Sequence, residues 1–330
     1  MRIVSFVAAA LLLLLSGCSS KQYYKPKEVA GEWEKRGDVK ESIIDSTHEI
    51  ALLEDRRVLV EGGELNVTVS QGERVVGYSD GWVITTSMDG NLTLRLGQDA
   101  NLSESFELKK TIAAATVKGD ILAVLFANNE MALYAISTKE LLFKEQGNAP
   151  VIINAKTQNP YFMNDLVLFF TLDGKVSIVN STIKKRLRTV IVSSETHFNN
   201  IISFGIVDNT IIATSGYSLL SLAAKELRAK YEVRCAAYKG DTIFIASKQG
   251  EIVALSADMQ VKAKLKFPFA HFLGMLATDE KLYALEKEGY LIEMPLDLST
   301  SNVYEASVDE GYLFMSRDRF YIDDEYISLQ

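Results

Sequence analysis

The chain has 330 residues, enough for one large all-β domain or two ordinary ones. Apolar residues make up 48% and charged residues 24%, which calls for a sizeable buried core and excludes wholesale disorder. The formal charge of −8, with no long basic run, excludes a nucleic-acid partner, which would need a basic face. One dense basic cluster, Lys184-Lys185-Arg186-Leu187-Arg188, reads as a solvated turn between strands, with a docking patch for an acidic partner as the alternative.

At the N-terminus Arg2 supplies a positive charge, Phe6 to Leu15 are apolar, and Ser16-Gly17 lead into Cys18. The apolar run is too short to span a bilayer as a helix and reads as an export signal. Leu15-Ser16-Gly17-Cys18 resembles the bacterial lipoprotein lipobox. That resemblance implies removal of residues 1–17 as a signal peptide and lipidation of Cys18, palmitate included. It also implies a mature chain tethered outside the cytoplasm. Ser19 stands where an Asp would resemble the inner-membrane retention signal, so the expected address is the outer membrane, facing the periplasm. The alternative is an ordinary secretory peptide that ends near a cysteine.

Residues 18–45 are polar, without a sustained period, and are expected to form a flexible tether. Such a segment would reach about 90 Å extended and roughly 30 Å as a coil. Tyr23, Tyr24 and Trp33 are too aromatic for a pure spacer and point to the domain surface or to lipid headgroups.

From residue 46 to 330 one phrase recurs: an apolar β-branched run, a turn rich in Gly, Asp or Asn, and a second apolar run. Trp82–Thr86, Asp89-Gly90 and Leu92–Leu94 make one copy. Thr242–Ala246, Gln249-Gly250 and Ile252–Leu255 make another. Such pairs supply the φ > 0 residues of tight hairpins. The turns fall near 90, 129, 174, 216, 250 and 289, a period of about 40. A preceding strand and a more polar following strand bring each unit to four, the blade of a β-propeller. Units begin near 74, 110, 148, 198, 234 and 270, with part of one after 308. Ile50–Val69 belongs to no complete unit and is expected to join the C-terminal strands, closing the ring between the chain ends. The expectation is an all-β propeller of about seven four-stranded blades, with eight as the alternative. Gly and β-branched residues interrupt every helical stripe.

The phrase Thr242 to Leu255 resembles the PQQ-like repeat of bacterial propellers. Together with the lipobox, the chain resembles the BamB family of lipoproteins, accessory to the outer-membrane β-barrel assembly machine. The resemblance implies a protein-binding scaffold in the envelope, with protein partners that include that machinery and a membrane contact through the lipid. A module that binds envelope glycan or peptidoglycan, or senses envelope state, is the alternative. Most units lack the Trp that commonly ends that family's repeats, and no partner-binding residue carries over.

Little chemistry is written in the chain. His48, His197 and His271 lie apart, without metal-ligand spacing. No nucleophile elbow or phosphate-binding loop occurs. Asp309-Glu310 and Asp323-Asp324-Glu325 read as solvated turns. A quinoprotein-type oxidoreductase would need tryptophan-rich blades and a vicinal cysteine pair. Here the only Trp are Trp33 and Trp82, so no cofactor and no enzyme activity are expected. Cys235, in an apolar strand-like run, reads as a small buried hydrophobe, and no disulfide forms within the mature fold. Asn66, Asn91 and Asn101 each fit acidic-x-Asn-x-Ser/Thr, which resembles the acceptor of bacterial periplasmic N-glycosylation. The same residues are also what hairpin turns are made of.

Overall fold

The computed structural model describes residues 22–307 and 310–329. Among them there is no helix, and the strands form eight four-stranded antiparallel blades. In chain order they cover residues 43–65, 74–107, 112–146, 161–191, 201–230, 233–266, 272–305 and 313–328. We number them 1 to 8 and label the strands of each a to d from the ring axis outward.

Eight hydrophobic clusters fill the eight seams of a closed ring. Val75, Val83 and Ile50 join blades 1 and 2. Phe126 and Leu94 join blades 2 and 3. The sequence continues round to Phe314, Tyr321 and Leu53, which join blade 8 back to blade 1. Strands b and c are buried on both faces, as in Leu166–Phe170 and Ser218–Leu222, because each lies between two seams. Outer strands alternate, as in Val261–Lys266, since one side meets water. Ser218–Leu222 and Glu226–Lys230 form strands c and d of blade 5.

The b–c glycines have a structural reason. The carbonyl of Gly90 accepts from Leu108 N, that of Gly250 from Phe267 N and that of Gly289 from Ala306 N. Each turn is thereby bonded to the segment leaving its own blade. A Cβ on Gly250 would stand 2.2 Å from the Phe267 carbonyl oxygen, and φ there is +75°. In blade 3 Asn129 takes the position with φ +68°. Each strand a of blades 1, 2, 3, 5, 6 and 7 carries a register shift near its start, which bends it around the axis.

Three sequence expectations are corrected. The ring has eight blades, the alternative to about seven, because Ile50–Val69 lies in a blade of its own instead of completing the last one. The strand that completes blade 8 is Arg36–Asp38, paired antiparallel with Glu325–Ser328 and held by the Arg36–Glu325 ion pair. The tether expected over 18–45 is docked from Tyr24 onward. Tyr24 is 5% exposed and Trp33 9% exposed. Gly31–Glu32 adds a parallel fifth strand to blade 7.

Candidate functional site

One face of the ring carries the b–c turns and the connections from strand d to the next strand a. The longest connection, residues 147–160, joins blades 3 and 4 on this face, and residues 192–200 join blades 4 and 5. Connections of such length in a compact repeat are where function concentrates.

The two segments are zipped into one unit. Asn200, fully buried, accepts from Asn154 N at 2.6 Å and donates to the carbonyls of Asn154 and Lys156 at 3.2 and 2.6 Å. Phe198 N donates to the Ile152 carbonyl at 3.0 Å. Asn199 Oδ1 accepts from Ser193 Oγ and Glu195 N, shaping the second loop.

Both ends of the first loop are fixed. Asn129 Nδ2 donates to the Asn148 carbonyl at 2.8 Å. At the other end Asn159 is buried against the inner strands of blades 2 and 3. Its amide donates to Glu49 Oε2 at 2.8 Å and to the Val76 carbonyl at 3.1 Å, and accepts from Ala115 N at 3.2 Å. Gly77 makes this possible, since a Cβ there would lie 2.6 Å from Asn159 Nδ2. Glu49 also accepts from Tyr78 N, yet burial raises its carboxyl above the usual range.

What this rigid support presents is apolar. Val151 is 78% exposed, and Ile152, Ile153 and Phe198 are exposed beside it. Phe198 has φ +57°, a sparsely populated region for an aromatic residue, which holds the ring outward. Four large apolar side chains on two interlocked loops form a surface suited to covering by another protein. Lys156, Glu195 and His197 stand exposed around it. The opposite face holds a cavity of about 1100 Å³ lined by His48, Glu49, Tyr78, Asp279 and Arg317.

The sequence-derived candidates fall as follows. Cys18 lies outside the described residues. Asn66, Asn91 and Asn101 are exposed, and they sit on separate segments of blades 1 and 2. The amides of Asn91 and Asn101 donate to the acidic residue two positions before, Asp89 and Asp99, so the pattern also serves as local turn chemistry. His48 is at the rim of the cavity, His197 at a loop tip, and His271 bonds Arg234 at 2.9 Å. Among the described residues no three His, Cys, Asp or Glu side chains gather as a metal set. Cys235 is buried, and burial pushes its thiol up to about 11, which makes it unreactive. Lys185–Ile191 is the outer strand of blade 4, its basic residues exposed and Arg186 and Arg188 ion-paired with Glu145 and Glu226. The apolar loop pair is hidden in the sequence because Val151-Ile152-Ile153 has the composition of a strand.

No family model matches the chain. It is similar to the plasminogen-binding protein PgbB of two Helicobacter pylori strains, 26% identical over 355 aligned positions that take in 93% of this chain. The chain spans 66% and 65% of those relatives, just under two thirds. Among solved structures it is similar to BamB from Moraxella catarrhalis, with a TM-score of 0.69 and 13% identity, covering 88% of this chain and 97% of that one. The C-terminal WD40 domain of Sif2 gives 0.64 at 13% identity, covering 89% and 98%. The computationally designed Ika8 protein gives 0.63 at 14%, covering 90% and 98%. At these identities the likenesses establish a BamB-like propeller fold.

Proposed function

We propose that this chain is a lipid-anchored, periplasm-facing scaffold of the outer membrane that binds a protein partner, and that it binds rather than catalyses. The observation that carries the reading is the apolar crown of Val151, Ile152, Ile153 and Phe198, held outward by Asn200 and Asn159. The partner assigned is a component of the outer-membrane β-barrel assembly machinery. Support comes from the lipobox at Cys18 and from the fold likeness to BamB. Fold likeness alone is compatible with many functions, so the site bears the argument.

The test is recovery of partners by the lipidated chain from envelope extracts, beside an Ile152→Asp/Phe198→Asp variant. Covering each of those side chains contributes about 1.5–3 kcal/mol, so the variant should lose at least roughly tenfold in affinity with its melting temperature unchanged. Recovery of a barrel-assembly component supports the assignment, and its reproducible absence overturns it.

A second reading is capture of plasminogen, favoured by the similarity to PgbB over 93% of this chain. Binding of purified plasminogen to this chain would place that activity in the shared part. No binding at micromolar concentration would remove it from the shared part.

A further inference from the structure

The anchor reading has a geometric consequence at the outer rim of the ring. Tyr24 is inserted into the seam between blades 6 and 7, edge-on to Phe267 and Tyr290 with centroids 6.2 and 5.7 Å apart. From there the chain follows the rim. Ala30 N bonds the Val303 carbonyl at 2.8 Å, and Trp33 Nε1 bonds the Ser328 carbonyl at 2.9 Å. Only six residue steps separate Cys18 from Tyr24, about 21 Å when fully extended. Gln22, four steps from Cys18, already lines a groove of about 950 Å³ over this seam. A lipid on Cys18 would therefore draw the blade 6–7 side of the ring to the membrane surface.

The rim has matching chemistry. Tyr23 is 51% and Phe269 57% exposed, and both line the groove. Phe269 holds φ +66°, which turns its ring out of the blade. Lys25, whose ammonium lies 4.8 Å over the Tyr23 ring, and Lys27 line the same groove, with Glu28 as its one carboxylate. Lys266 also lines the groove, but it donates to the Gln249 carbonyl and pairs with Glu251 at 3.4 Å. A chain of charge −8 thus places cations and amphipathic rings where its N-terminal segment meets the ring. Aromatic rings settle at the headgroup level, and lysines near an anionic surface are attracted to it.

We propose that the rim over the blade 6–7 seam is a lipid-facing surface, with Tyr23 and Phe269 in the interfacial layer and Lys25 and Lys27 against lipid phosphates. This rests on the lipid-anchor reading. The propeller then stands at the membrane by its edge on the blade 6–7 side, with the apolar crown of blades 3–5 turned away from it.

The test uses the lipidated chain, its acylation measured by intact mass. It is reconstituted into phosphatidylethanolamine–phosphatidylglycerol vesicles containing lipid brominated near the headgroup end of its acyl chains. Phe269→Trp reports on the rim. Leu102→Trp, exposed on the outer strand of blade 2, reports from across the ring. Each is read as the difference from the unsubstituted chain, which carries Trp33 and Trp82. The indole introduced by Phe269→Trp should lose half or more of its emission, and the one introduced by Leu102→Trp less than a tenth. Adding Lys25→Glu and Lys27→Glu to the Phe269→Trp variant should at least halve its quenching. Equal quenching at both positions in acylated protein overturns the lipid-facing rim while leaving the anchor intact. An unmodified Cys18 in the mass overturns both.

Discussion

Asn159→Leu is the sharpest probe of how the crown is supported. The substitution keeps the branching and heavy-atom count of the side chain and removes its polar atoms. The Ala115 amide, in a buried strand, loses its acceptor, and an unsatisfied buried donor costs about 1–3 kcal/mol. Glu49 loses a charge-assisted bond worth about 1.5–3 kcal/mol, and the Val76 carbonyl loses a donor. Glu49 can shed part of its cost by taking up a proton, so the net loss should be about 3 kcal/mol at neutral pH. With an unfolding entropy of about 2.1 cal/mol/K per residue, that corresponds to a melting temperature lower by roughly 5 °C.

The pH dependence fixes the cause. Burial already raises the folded-state pKa of Glu49, and removing its Asn159 donor raises it further. A carboxyl raised on folding costs stability above its unfolded range, near about 4.3, and costs none below it. The deficit of the variant should therefore be largest at pH 7 and shrink as pH falls towards 4. Calorimetric scans across pH 4–7 measure it. A deficit independent of pH, or a melting temperature within 1 °C of the parent at pH 7, would refute the account of this node. Asn159→Asp should show the same trend more steeply, since two carboxyls would then face each other at hydrogen-bond distance.

Four further outcomes follow from the packing. Trp33→Ala removes a ring set against Tyr304 and Tyr283 and should cost about 3–5 kcal/mol, read by thermal unfolding together with early protease cleavage before residue 43. Gly205→Ala places a Cβ 2.3 Å from the Tyr238 ring, whose hydroxyl is held by Ser203 and Thr214, and should cost about 2 kcal/mol in a urea titration. Gly62→Ala, with open space around it, should be near neutral in the same titration. With its thiol near 11, Cys235 should resist a thiol reagent at pH 8 until denaturant is added; rapid labelling of the native chain would contradict its burial.

The blades are legible in the sequence where their signal is local. Strands b and c sit between two seams and are apolar throughout, and the turn between them needs a residue with φ > 0, so the pattern is written within some fifteen positions. Blade 1 escapes such a reading because its strands are short and Arg56, not Gly, takes the left-handed turn position at φ 70°. The closing strand Arg36–Asp38 has no apolar alternation, and its partner lies nearly the whole chain away. Blade 4 begins later than the expected 148, because Val151-Ile152-Ile153 only has the composition of an inner strand. The actual inner strand is Tyr161–Met163, and the earlier residues are lifted out by Asn159 and Asn200, contacts far apart in sequence. Composition finds apolar residues but not which of them a polar node holds in water.

The N-terminal segment links that lesson to function. Its aromatic residues look out of place in a spacer; Tyr24 and Trp33 are attachments to the ring. From Cys18 the chain meets Tyr24 in the blade 6–7 seam, then the short strand Gly31–Glu32 on blade 7, then Trp33 in the blade 7–8 seam. Only after these does it reach Arg36–Asp38, the strand that completes blade 8. If Cys18 is anchored as proposed, a pull from it would be taken first by peripheral contacts that the ring can lose without opening. With the closing strand last in line, docking of the N-terminal segment and closure of the ring are separated although one continuous segment performs both. Under the proposed anchoring, six residue steps lead from Cys18 to Tyr24, so the ring's orientation at the membrane would follow from where Tyr24 docks.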